Sequence, residues 1–180
     1  MKYGLLAAGA ALALMSTPAA AGPEAFSNGP VFTAGGAVAK IDSELAIPAS
    51  TDFKVAFDVG SGKPNSLNNG IDTAARFVNM MAGSGVPVAN LHPAIVVHNS
   101  AIYDVTNAAR YGAQYDGAAN PTADLVAQLI AKGVPIYVCG QTAAMLDVKK
   151  SDLLPGVKMA TSAITAHAIL ARQGYTLNPF

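Results

Sequence analysis

The chain has 180 residues, 52% of them hydrophobic and only 12% charged, and its 11 basic residues balance its 11 acidic ones. Without a basic face or polybasic tract it has no electrostatic footprint for nucleic acid or an anionic membrane surface. So sparse a surface charge favours self-association, and a homo-oligomer is expected.

Lys2 is followed by an apolar run from Gly4 to Met15, then Ser16-Thr17-Pro18 and the small residues Ala19-Ala20-Ala21. This order matches the charged, apolar and cleavage regions of a secretory signal. Residues 1–21 are therefore expected to be a cleaved signal peptide and the mature protein to be periplasmic, with no membrane contact after cleavage. The rival reading, an uncleaved anchor, is disfavoured because the apolar run is too short to span a bilayer. The chain from Gly22 onward is the size of one domain.

Residues 22–52 are rich in Gly, Pro, Ser and Ala, with short apolar pieces such as Pro30-Val31-Phe32. They predict an arm lying over the domain or over a neighbouring subunit, because they carry too little periodic apolar surface for a core of their own. The compact domain is expected over 53–180.

Phe53 to Val59 predicts a strand, stopped by Gly60-Ser61-Gly62. Asn68 or Asn69 then caps a helix whose stripe is Ile71, Ala74, Ala75, Val78 and Met81, ending at Gly83 and Gly85. Asp72 and Arg76 are expected to form an exposed pair on it. Pro93 to His98 is an almost wholly apolar strand, as in a parallel sheet covered on both faces.

A loop holding Tyr103, Tyr111 and Tyr115 leads to Asn120-Pro121, expected to open a helix with the stripe Leu125, Val126, Leu129 and Ile130. The tyrosines are expected to pack as a lid or between subunits. Val134 to Cys139 is the third strand. A short helix from Gln141, a brief strand over Val157 to Ala160, a helix over Ser162 to Gln173 and an edge strand after Gly174 complete an α/β three-layer sandwich with a mainly parallel central sheet.

Ligands of open parallel sheets collect at the carboxyl ends of the strands. Asp58, His98 with Asn99, and Cys139 end the first three strands and should share one edge. A lone cysteine in an oxidising compartment is an inert core thiol, an intermolecular link or a reactive group. A helix starting at Gln141 would stabilise a Cys139 thiolate, and Gly140 lets the backbone pass close to whatever the sulfur contacts. His98 is either a buried structural imidazole or an acid–base partner to that thiol. His92 and His167 read as structural or solvent-facing. No spacing suits a metal and no glycine-rich cradle suits a nucleotide, so no cofactor is expected.

The ordered pieces Lys54-Val55-Ala56-Phe57-Asp58-Val59, Ile95-Val96-Val97-His98, Asn120-Pro121, Val138-Cys139-Gly140-Gln141, Leu154-Pro155-Gly156-Val157-Lys158 and Leu177-Asn178-Pro179-Phe180 resemble the DsrE/DsrF-like family, specifically its exported members. The resemblance implies the same sandwich, assembled into trimers or hexamers. It also implies a cysteine at this strand end that accepts sulfur as a persulfide and hands it on; that role falls on Cys139. Asn99 and Thr142 depart from the commoner glycine and serine of the motif.

The expected function is therefore a periplasmic sulfur carrier or sulfurtransferase-like protein with an unspecified sulfur donor and acceptor. Cys139 and His98 are the expected catalytic pair, and Asn99, Gly140, Gln141, Tyr103 and Asn120 are expected to surround the substrate. The alternative is a non-catalytic oligomeric module that binds a small ligand near Tyr103, Tyr111 and His98, or that is purely structural.

Overall fold

The structure, a computed structural model, describes residues 22–179; the expected signal peptide lies outside them. Five parallel strands make the central sheet: β3 (Phe53–Val59), β4 (Leu91–Val97), β5 (Ile136–Cys139), β6 (Lys158–Ala160) and β7 (Thr176–Asn178), in the spatial order β6-β5-β4-β3-β7. A separate antiparallel pair, β1 (Phe26–Ser27) with β2 (Val38–Ala39), lies in the arm. Pro93 is tolerated in the central strand β4 because pairing with β5 begins only at Ile95–Ile136, beyond the missing N–H.

The chain steps from β3 to β6 in one direction and then returns across the sheet to β7 on the far edge. Right-handed crossovers therefore put the early helices on one face and the last helix on the other. Helices α1 (Asn69–Gly83) and α3 (Ala123–Ala131) pack Ile71, Val78, Leu125 and Leu129 against Phe57, Ile95, Val97 and Val138 in the larger core. Each such aliphatic side chain contributes about 1.5–3 kcal/mol on burial, so most of the stability resides on this face. The opposite face carries only α5 (Ala163–Arg172), whose Ala166 and Leu170 meet Ala56, Ala94 and Val96 in a much smaller cluster.

Asn68 caps α1, its carboxamide oxygen accepting from the Gly70 and Ile71 amides. The expected start of α3 moves: Asn120 Oδ1 accepts from the Thr122 amide in a turn, Thr122 is the N-cap, and the helix begins at Ala123. The side chain of Asn120 thus competes for the backbone that would have made the first turn. The segment before it is more regular than expected, with a 3₁₀ helix over Asn99–Val105 and α2 over Ala108–Gln114.

The arm lies on its own domain. Asn79 of α1 accepts from the Val31 and Phe32 amides at 2.9 Å each and donates to the Phe32 and Gly36 carbonyls. Phe32 is thereby seated in the larger core. The Asp72–Arg76 pair, at 2.6 Å, is not simply exposed: Asp72 is buried and accepts from the Gly36 amide, while Arg76 donates to the Ala37 carbonyl. Both charges are spent on the arm as well as on each other. Among the described residues, no helix is long and apolar enough to cross a membrane.

Candidate active site

Strand register brings three side chains to one edge and one face. Asp58 pairs with Val96, whose side chain lies on the α5 side of the sheet; His98 follows Val96 by two residues, and Cys139 follows Tyr137 by two. Period-two alternation therefore points Asp58, His98 and Cys139 toward α5 at the carboxyl end of the sheet.

Cys139 is the N-cap of the short helix α4 (Gly140–Met145) and is 6% exposed. Its sulfur makes no capping hydrogen bond, but the Thr142 amide and hydroxyl and the Ala163 and Gln141 amides lie close enough to favour its anionic form. Burial pushes the thiol up, but these four donors outweigh it and hold the group below its ordinary value. The donors come from two helices because β5 ends between them.

Each donor is itself placed. Ser162 caps α5 by accepting from the Thr165 amide at 3.0 Å, which leaves the Ala163 amide, two residues earlier, to the thiol. The Thr142 hydroxyl accepts from the Asn99 amide at 3.4 Å, which directs its hydrogen to the sulfur. Asn99 adopts φ 47° to make that turn. Gln141 Nε2 reaches the Thr161 carbonyl at 3.4 Å, tying α4 to the loop before α5. A Cβ on Gly140 would sit 2.6 Å from the Ala160 carbonyl oxygen, so only glycine lets β5 turn into α4 here.

His98 turns toward Asp58. Its Nε2 lies 3.1 and 3.2 Å from the two carboxylate oxygens, while His167 Nε2 approaches Oδ1 at 2.7 Å. Burial raises the Asp58 carboxyl, but the bonds from His167 and His98 prevail and hold it below the usual carboxylate range. His167 is therefore a sheet-facing residue of the site edge: of the two expected readings the structural one holds and the solvent-facing one does not. Its sequence signal was available: Ala163, Ala166, His167 and Leu170 occupy one stripe at i, i+3, i+4 and i+7. His92 stands at the other end of β4, 3.6 Å from an exposed Asp52.

Two expected substrate contacts have other partners. Tyr103 is buried in the larger core, with Tyr115 edge-on at 5.8 Å and the Arg110 guanidinium 4.9 Å above its ring. Asn120 donates to the Asp104 and Thr106 carbonyls. The tyrosines stack within the domain, Tyr111 lying 4.7 Å from Tyr115, and form no lid. Among the described residues, no three His, Cys, Asp or Glu side chains are arranged to hold a metal ion. A cavity of about 320 Å³ does open beside α5, bounded by Tyr137, Ala160, Thr161, Thr165 and Ile169; Ala160 is the strand partner of Cys139.

The DsrE/DsrF-like family model matches residues 54–179, which takes in every strand of the central sheet and every residue of this edge. The chain belongs to the DsrE/DsrF-like family. Membership joins it to proteins generally linked to sulfur relay. Two solved structures share the DsrE-like fold. A protein of unknown function, MTH1491 from Methanobacterium thermoautotrophicum, is 16% identical with a TM-score of 0.54, covering 72% of this chain and 100% of its own. The ychN protein from E. coli is 14% identical with a TM-score of 0.53, covering 71% of this chain and 99% of its own. No curated protein matches in a sequence comparison. At these identities the two structures bear on the fold alone, and the DsrE-like sheet is the frame that presents Cys139.

Proposed function

We propose that this protein is a single-cysteine sulfur carrier. The observation that carries the reading is the placement of Cys139 at the end of β5 and the N-terminus of α4, where nearby amides of α4 and α5 favour the thiolate, in a family generally linked to sulfur relay. Such an environment favours the anionic sulfur that both attack and storage require. The thiolate attacks the outer sulfur of a sulfane donor, a new S–S bond forms, and the donor's own S–S bond breaks. With thiosulfate, sulfite leaves with the electron pair and Cys139 is left as a persulfide anion. A nucleophilic acceptor then takes the outer sulfur and returns the thiolate.

Incubation with thiosulfate or polysulfide followed by intact-mass measurement tests this. The expected result is a gain of one sulfur atom that a reductant removes and that Cys139→Ala abolishes. An unmodified wild-type mass after both donors would reject the carrier.

The reading includes export, with residues 1–21 as the signal and the periplasm as the working compartment. It also includes a homo-oligomer, a trimer or hexamer. Support for assembly is the exposed apolar set Met145, Ile164, Ile169 and Leu177, of which the last three lie on or beside the face that α5 alone covers. Sedimentation of the mature chain should give a trimer or larger, and a monomer at micromolar concentration would count against it.

A further inference from the structure

We propose that Asp58, His98 and His167 form a clamp that fixes the first turns of α5 on the sheet and thereby holds the Ala163 amide on the Cys139 sulfur. They are positioning residues for the thiol, and the inference rests on Cys139 being the working group.

The Cys139–Ala160 strand pair and the Gln141–Thr161 bond fix the loop before α5, but few apolar contacts hold its first turns. The helix is alone on its face; Leu170 anchors its second half, but the first half offers the sheet only Ala163 and Ala166, and Ile164 is 83% exposed. Two methyl groups supply little apolar contact. One turn beyond Ala163, however, His167 Nε2 meets Asp58 Oδ1 at 2.7 Å, joining α5 to β3. Ala163, whose amide lies beside the thiol, and His167, whose imidazole meets the Asp58 carboxylate, are i and i+4 on the same helix.

His98 completes the device by fixing the carboxylate. Its Nε2 spans both Asp58 oxygens, and its ring lies so close over Gly60 that a Cβ there would stand 2.7 Å from Cε1. The carboxylate accepts and cannot donate, so each Nε2 carries a hydrogen. The titratable groups meeting here are Asp58 from β3, His98 after β4, His167 from α5, and Cys139 at the next strand end. The three clamp side chains meet on one carboxylate and are not arranged as a metal site.

The test is the pH profile of Cys139 alkylation by iodoacetamide in the native full chain, which needs no sulfur transfer and so fails or succeeds independently of the carrier reading. His167→Ala and Asp58→Asn should each move the midpoint upward by about half a unit to one unit, slowing reaction at pH 7 about three- to tenfold. His167→Gln, whose amide reaches the same carboxylate, should restore most of the wild-type profile. If His167→Ala does not fold, His167→Leu, which keeps an apolar side chain on the sheet but donates nothing to Asp58, still decides. A wild-type profile in a folded His167→Ala, His167→Leu or Asp58→Asn protein would overturn the clamp.

Discussion

Asp104 shows how much a single buried side chain can set. It is fully buried in the 3₁₀ segment after β4; Oδ2 accepts from Asn68 Nδ2 at 2.6 Å, and Oδ1 has no partner. Burial raises its carboxyl to about 6, against the opposing bond from Asn68. The raised group favours the folded state most fully below the unfolded value near 3.8, and that contribution is lost as pH rises through about 6. The difference is worth about 3 kcal/mol. Thermal or denaturant unfolding should therefore show stability from this group growing from pH 7 toward pH 4, and Asp104→Asn should flatten that slope. An unchanged slope in the variant would remove Asp104 from the account. Nothing in the sequence marks this residue, because its burial comes from Gly62 and Asn68 arriving from other segments.

At the scale of elements, the arm and α5 behave as opposites. The arm has little periodicity, yet Asn79, Asp72, Arg76 and Gln128 bind its backbone along residues 31–37. Asn79→Ala leaves those buried backbone groups without partners and should cost about 1–3 kcal/mol, with amide exchange across residues 29–39 rising sharply. Exchange at the wild-type rate would show that the arm is held by Phe32 alone. The parallel strands and the stripes of α1 and α3 were legible because apolar runs and 3.6-residue periodicity report burial directly. The start of α3 was not, since Asn120 and Pro121 suit a turn as well as a cap. The shared edge of Asp58, His98 and Cys139 followed from their places at the carboxyl ends of three parallel strands. The Ala163 donor and the Asp58–His167 bond did not, because they depend on where a crossover helix lands after the chain has returned across the whole sheet.

At the scale of the whole molecule, one face of the sheet is sealed by α1, α3 and the arm, and the other is served by a single helix next to the thiol. Stability and chemistry are thus separated by the sheet: the large core builds the frame, and the sparsely covered face carries the cysteine, its donors and the clamp. The most direct measurement of the central claim is the titration of Cys139 by alkylation in the native protein beside the same chain unfolded in denaturant. The unfolded thiol should titrate near its ordinary value of about 8.5. The account predicts a native midpoint below that; a native midpoint at or above it, or a thiol that reacts only after unfolding, would contradict it.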